Sequence, residues 1–129
     1  MNKIILIGRI VRDCELNELN EKKYLKNSIA VQREIKNKEG NYDTDFFNFT
    51  VWNKQAEYLH NYCKKGDLIS VIGRLQNRSY EKDGQKINVN EILVNEIKIL
   101  TPHYKEKSNE ELNQEVADKL GDDVIEFLD

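Results

Sequence analysis

The order of β-type segments and turns is the feature of this sequence that most constrains its fold. Five strand-like segments precede the only proline, Pro102, and they span 3–12, 24–36, 44–52, 68–80 and 86–100. Polar, glycine-containing stretches at 37–41 and 81–85 predict hairpin loops that join the second strand to the third and the fourth to the fifth. Because Pro102 directly follows the last segment, the sequence predicts a domain boundary at 101–104.

One helix is predicted between the third and fourth strands, at 54–65. Asn53 is the expected N-cap and Gly66 the expected stop. The apolar residues that share its buried face are Ala56, Leu59 and Cys63. Five strands with one helix in this place are the order of an OB-fold barrel, although other small barrels give a similar count. We therefore predict an all-β, five-stranded OB-fold barrel with one helix over residues 1–104, followed by a short acidic C-terminal tail.

The charges divide the chain at the same boundary. Residues 1–104 hold 17 Lys and Arg against 14 Asp and Glu, a net charge of +3, whereas 105–129 hold 3 Lys against 9 acids, a net charge of −6. A basic body with an acidic end is typical of nucleic-acid-binding proteins that carry an interaction tail. With 33% charged residues and no apolar run near the length of a spanning helix, we expect no membrane segment. The four-residue apolar run at 4–7 is too short for a secretory signal, so a cytoplasmic protein is expected.

Alternation along the third and fourth strands separates a core face from an outward face. The predicted core-facing residues are Phe47, Phe49, Val51, Ile69, Val71 and Leu75. The predicted outward residues are Phe46, Asn48, Thr50 and Trp52 on the third strand and Arg74, Gln76, Arg78 and Tyr80 on the fourth. Aromatic rings beside cations suit unpaired nucleic acid, since bases stack on rings for about 1–3 kcal/mol each and Arg or Lys neutralises phosphates. A ring covered by a loop or by a protein partner is the competing interpretation.

Several segments resemble the bacterial-type single-stranded DNA-binding proteins, and they occur in the same order. They are Asn2-Lys3-Ile4-Ile5-Leu6-Ile7-Gly8-Arg9 with Arg12-Asp13, Val51-Trp52-Asn53-Lys54-Gln55-Ala56-Glu57, Tyr62-Cys63-Lys64-Lys65-Gly66-Asp67 and Gly73-Arg74-Leu75-Gln76-Asn77-Arg78-Ser79-Tyr80. The resemblance implies an OB-fold protomer, usually of a homotetramer, without cofactor. It also implies binding to single-stranded DNA without sequence preference during replication, repair and recombination.

The resemblance also assigns roles to particular residues. The family's base-stacking positions match Phe46, Trp52 and Tyr80. Its phosphate-contacting positions match Lys3, Lys54 and Arg78, and Arg9 and Arg74 are expected to contribute. Phe47 matches a position near a subunit contact, whereas alternation assigns it to the core, and both interpretations stay open.

The chain departs from the family pattern in three places. Ile35 replaces an aromatic residue at the tip of the second strand, which predicts weaker or shorter wrapping of DNA, and Cys14 replaces a proline. The family's acidic tail ends in Ile-Pro-Phe, and here Glu126 replaces the proline and two residues follow the phenylalanine. We still expect the tip at 122–129 to recruit replication and repair proteins. The residues expected to dock them are Asp122, Asp123, Ile125 and Phe127. Leu112, Val116 and Leu120 predict a short amphipathic helix at 109–120.

No catalytic or metal-binding pattern is found in the sequence. His60 and His103 stand apart from other candidate ligands, and Cys14 and Cys63 are too far apart in sequence for a zinc motif. We therefore predict a binding protein, not an enzyme, with no metal. Two alternatives are kept: an interaction protein that uses the same face for a protein partner and its acidic tail to mimic DNA, and a nuclease or other enzyme.

Overall fold

The structure, a computed structural model, describes residues 1–102. Its elements are β1 (Ile4–Ile10), β2 (Asn17–Leu19), β3 (Lys22–Lys36), β4 (Tyr42–Trp52), α1 (Asn53–Tyr62), β5 (Leu68–Lys82) and β6 (Gln85–Ile99). The five long strands and the helix occur in the predicted order. The short strand β2 was not predicted, because Asn17-Glu18-Leu19 contains no β-branched or aromatic residue.

The long strands close into a barrel. The sheet order is β1-β5-β6-β4-β3-β2, and β1 also pairs with β3 through Arg9 opposite Ala30 and Ile10 opposite Ile29. The pairing of β4 with β6 is parallel, and the pairings between the other neighbours are antiparallel. A bulge in β6 at Asn95, opposite Ile72 and Gly73, marks a barrel corner, and a Cβ atom on Gly73 would collide with the carbonyl oxygen of Leu93 on β6.

The core is formed by the inward residues of the strands and by one face of α1. Its buried members are Ile10, Leu25, Ile29, Phe49, Val51, Ala56, Leu59, Cys63, Ile69, Val71, Ile92 and Ile97. The predicted helix face is thus confirmed, and α1 packs on β3, β4 and β6. Burial of each large aliphatic side chain contributes about 1.5–3 kcal/mol, so this cluster is the main source of stability.

Both predicted ends of the helix need correction. No side-chain hydrogen bond caps its start, and Asn53 lies inside the helix with a positive φ of 54°. Asparagine tolerates that left-handed conformation, which lets the chain turn directly from β4 into α1. The helix ends at Tyr62 because the Asp67 carboxylate accepts a hydrogen bond from the Lys64 backbone N–H at 2.8 Å, and a turn follows.

Three residues lie on the wrong side of the predicted division between core and surface. Phe47 and Leu75, both assigned to the core, are exposed, and Thr50, assigned to the surface, is buried. Phe47 lies opposite the buried Ile29 and Leu75 opposite the buried Ile92, so both side chains point to the core side but are not covered by another element of residues 1–102. Thr50 is covered because β6 pairs beside it and Glu91 accepts its hydroxyl at 3.4 Å.

The second half of the β5–β6 hairpin projects from the barrel, and we call residues 76–90 the β5–β6 arm. Its turn contains only Asp83 and Gly84, with φ of 54° and 76°, where the sequence predicted a loop at 81–85. Two consecutive positive φ angles are what a tight type I′ turn requires. The strands therefore run on to Lys82 and Gln85 and carry Tyr80 away from the barrel.

Candidate functional site

The three rings predicted to stack on bases are all solvent-accessible. Phe46 and Trp52 lie on one face of β4, 64% and 40% exposed, and Tyr80 lies on the β5–β6 arm, 44% exposed. Trp52 is six positions after Phe46, which places the two residues about 20 Å apart along β4. The structure therefore presents two rings on one strand and a third on the neighbouring hairpin.

Trp52 is supported by the barrel and by a second ring. It is the last residue of β4, directly before α1, and the adjacent Val51 is fully buried. Tyr24 lies opposite Trp52 on β3, with ring centroids 5.3 Å apart and ring planes tilted by 41°. Sequence reasoning did not identify Tyr24. If β3 and β4 paired without interruption from the loop at 37–41, Tyr24 would lie two positions away from Trp52 in the register. A bulge between Gln32 and Lys36 shifts the register and brings the two residues directly opposite each other.

The predicted cations fall into three places. Asn2 pairs its side-chain amide with the backbone of Leu75, and this holds the adjacent Lys3 at the start of the arm, beside Arg74. Arg78 follows on the same face of β5, with its Nε 3.8 Å from Glu91 Oε1. Lys54 lies in the first turn of α1, next to Trp52.

Arg9 is not brought to this group of cations. It pairs with Leu68, at the other end of β5, and its guanidinium donates to the Gly66 carbonyl at 3.0 Å. Of the predicted phosphate contacts, the structure therefore gathers Lys3, Arg74 and Arg78 along one face, places Lys54 beside Trp52, and leaves Arg9 apart.

A cavity of about 280 Å³ lies between β3, β4 and the base of the arm. Its polar lining includes Arg12, Lys26, Asn48, Thr50, Arg78 and Glu91. A second cavity, of about 340 Å³, shares Arg12 and Lys26 and adds Lys65. Arg12 and Lys26 thus form a common cationic wall between the two, and neither was among the predicted contacts.

Buried hydrogen bonds fix the position of Arg12. The Asn27 side chain is buried, accepts the Arg12 backbone N–H at 3.1 Å and donates to the Arg12 carbonyl at 2.9 Å. The Arg12 guanidinium in turn donates to the Ser28 hydroxyl at 3.0 Å, and that hydroxyl donates to the Asn48 side chain at 2.7 Å. The sequence signal for this network is the polar Asn-Ser pair between the core residues Leu25 and Ile29 of β3.

Two exposed ion pairs flank the face that carries the rings. Arg33 binds Asp45 through two hydrogen bonds of 2.9 and 3.0 Å next to Phe46, and these hydrogen bonds lower the pKa of the Asp45 carboxyl. At the other end, Lys23 donates to Glu57 at 2.6 Å, which raises the pKa of Lys23 and lowers that of Glu57. Exposed pairs of this kind stabilise a fold only slightly, so their main effect is on geometry.

The remaining predicted features contribute little to this face. Ile35 lies fully accessible near the end of β3. Cys63 is buried, and the neighbouring Cys14 thiol raises the pKa of Cys63, whereas Cys63 lowers the pKa of Cys14. The predicted tail contacts Asp122, Asp123, Ile125 and Phe127, the helix predicted at 109–120, and His103 lie outside the described residues.

Residues 1–102 lack two further kinds of feature, a metal-binding cluster and a membrane-spanning helix. Within that range, no group of three or more His, Cys, Asp or Glu side chains could hold a metal ion. No helix of the same range is long and apolar enough to cross a membrane.

Known proteins are similar to this chain in sequence and in fold. The single-strand binding protein family matches residues 1–100. The chain is 41% identical over 104 residues to the single-stranded DNA-binding protein of Bacillus cereus, a match covering 79% of this chain and 61% of that protein. It therefore spans less than two thirds of the B. cereus protein. Single-stranded DNA-binding protein 1 of Streptococcus pyogenes is 36% identical over 124 residues, covering 95% of this chain and 92% of that protein.

A solved structure supports the fold assignment. The Plasmodium falciparum SSB complex with ssDNA matches with a TM-score of 0.70 and 27% identity, over 78% of this chain and 96% of that one. The predicted all-β, five-stranded OB-fold barrel with one helix is thereby confirmed. The relatives are named as DNA-binding proteins, which agrees with the prediction that the chain is not an enzyme. The chain therefore belongs to the single-strand binding protein family.

Proposed function

We propose that the chain binds single-stranded DNA without sequence preference, by stacking bases on Phe46, Trp52 and Tyr80. The observation that carries the proposal is the exposure of all three rings on β4 and the β5–β6 arm, with a row of cations beside them. The proposed phosphate contacts are Lys3, Arg9, Lys54, Arg74 and Arg78, of which Arg9 has the least support from its position.

The proposed mechanism is binding alone. A base that stacks on an aromatic ring gains about 1–3 kcal/mol whatever its identity, because every base offers a π-face. Each phosphate neutralised by Lys or Arg releases counterions, so the slope of log K against log salt is about −0.7 per contact. By occupying the single strand, the protein shifts the equilibrium away from duplex through mass action.

The test uses Trp52, the only tryptophan of the chain. Titration with oligo-dT should quench its fluorescence, and the affinity should fall as salt is added. Unchanged fluorescence together with no retention on immobilised oligo-dT at low salt would contradict the proposal. Weak DNA binding with saturable binding to a replication protein would instead favour the interaction-protein alternative.

Self-association belongs to the same proposal. Ile5 and Ile7 on β1 and Phe47 on β4 are exposed in the single chain, and burial between copies would remove this apolar surface from water. We propose a homotetramer, as the family resemblance implies. Light scattering on the full chain tests it: a mass of four chains supports the tetramer, and a concentration-independent monomer contradicts it.

The biological role we propose is protection of single strands during replication, repair and recombination, with recruitment of partners by the acidic tip at 122–129. The support comes from family membership and from the −6 charge of residues 105–129. Deletion of 122–129 should abolish capture of replication and repair proteins and leave oligo-dT binding intact. Equal capture by the full and shortened chains would exclude the tail as the docking site.

A further inference from the structure

Tyr24 is an aromatic residue of the DNA-binding face that the proposed function leaves without a role. It lies on β3 directly opposite Trp52 and is half-buried, with the two ring centroids 5.3 Å apart. The ring planes are tilted by 41°, and both rings retain solvent exposure. The pair is therefore more than a single exposed tryptophan, since two rings meet the solvent side by side.

Lys26 is the next outward residue along β3 from Tyr24. It lies opposite Thr50 and is exposed, and its side-chain ammonium makes no hydrogen bond or ion pair with any residue from 1 to 102. It also borders both cavities described above, the first of which is lined by Arg78. An aromatic pair can stack one base, and an adjacent cation without a protein partner can bind the phosphate next to that base.

The position of the ring pair is fixed by its surroundings. Leu25 and Val51, the residues that follow Tyr24 and precede Trp52, face each other across the strands and are fully buried. The ion pair between Lys23 and Glu57 joins the start of β3 to α1 on the other side of Tyr24. A platform held in this way loses little conformational entropy when a ligand binds.

We propose that Tyr24 and Trp52 form one composite base-stacking subsite and that Lys26 binds the phosphate beside it. The path of the bound DNA thereby crosses from β4 onto β3 at this end of the barrel. This inference rests on the proposed function and adds to it a subsite for one nucleobase with its adjoining phosphate. Tyr24 contributes by enlarging the stacking surface and by holding the Trp52 ring in place.

The experiment titrates oligo-dT into full-length wild-type protein and the variants Tyr24→Leu, Tyr24→Phe and Lys26→Gln, following Trp52 fluorescence. Tyr24→Leu should weaken binding about 5- to 10-fold, at the lower end of the range for a stacking ring. It should also shift the Trp52 emission of the free protein, because the ring that contacts the indole is gone. Tyr24→Phe keeps the ring and should bind within about twofold of wild type. Lys26→Gln should reduce the magnitude of the salt slope by about 0.7.

A matched control is Tyr62→Leu, which removes an exposed tyrosine of α1 that contacts Tyr58 and not Trp52. It should leave affinity and emission unchanged. If wild type and Tyr24→Leu bind equally, or if Tyr24→Phe is as weak as Tyr24→Leu, the composite subsite is wrong while the proposed function stands. If wild type does not bind oligo-dT, both fail. Circular dichroism checks that Tyr24→Leu is folded. If it is not, the other two variants still test the proposal. An unchanged salt slope in Lys26→Gln would overturn the phosphate contact, and weakened binding by Tyr24→Phe would overturn the stacking role of Tyr24.

Discussion

Trp52 and Tyr80 are both proposed to stack DNA bases, but one ring lies on the barrel and the other on the projecting β5–β6 arm. Trp52 stands on the barrel, between the fully buried Val51 and the first turn of α1, and is in contact with Tyr24. Tyr80 stands on the β5–β6 arm, where every β5 residue from Arg74 to Lys82 is exposed. One platform is thus held by the core, and the other extends from it.

The arm depends on its own cross-strand pairs. Asn77 donates to Asn90 at 2.8 Å and Ser79 donates to Asn88 at 2.6 Å, in addition to the backbone ladder. A two-stranded ribbon without a core is marginally stable by itself. Elements with few buried contacts open at lower free energy than the core. A ring fixed before binding should therefore contribute more affinity than one that must be ordered on binding.

The largest expected effect is that of Trp52→Ala. Removal of the indole from the fixed platform should cost about 2–3 kcal/mol of binding free energy, which is about 30- to 150-fold in affinity for oligo-dT. Because this variant lacks tryptophan, binding is measured by the anisotropy of a labelled oligonucleotide. An affinity within about threefold of wild type would show that the barrel-supported ring is not a principal contact.

Tyr80→Ala should have a smaller effect, about 1 kcal/mol or about fivefold, because part of the stacking energy is spent on ordering the arm. The same anisotropy assay measures it, with Tyr62→Leu as the control for loss of an exposed tyrosine. A loss equal to that of Trp52→Ala would contradict this expectation and show that the arm is as well ordered as the barrel.

The sequence predicts the direction of the three stacking rings but not what surrounds them in the fold. Alternation and turn residues predict the strand order, the helix and the outward direction of Phe46, Trp52 and Tyr80. Alternation gives the direction of a side chain but not what lies there, so it places Phe47 and Leu75 in a core that does not extend to them. The contact between Tyr24 and Trp52 depends on a register that the β3 bulge shifts, and no local pattern encodes that shift.

The third prediction concerns the turn of the arm. Gly84 has a φ of 76°, so Gly84→Ala should strain the turn by about 1–2 kcal/mol and loosen the arm without affecting the core. Amide hydrogen exchange should accelerate at 76–90 and not in β1 or β3. Affinity for oligo-dT should fall about twofold, as expected when the competent state is less populated. Equal exchange in both proteins would mean that the turn does not control the order of the arm.

The smallest expected effect is the loss, at low pH, of the stability that the Lys23–Glu57 ion pair contributes beside Tyr24. The pKa of Glu57 is lowered by its hydrogen bond with Lys23, so the stability it contributes is complete above its ordinary value of 4.5 and is lost as pH falls through the lower folded-state value. Glu57→Gln removes this contribution. Its unfolding midpoint should therefore lie slightly below that of wild type at pH 6, and the difference should vanish toward pH 3. The pair touches the start of β3 and not the arm, so hydrogen exchange at 76–90 should be the same in both proteins. A midpoint difference that persists at pH 3 would show that Glu57 acts through packing rather than through its charge.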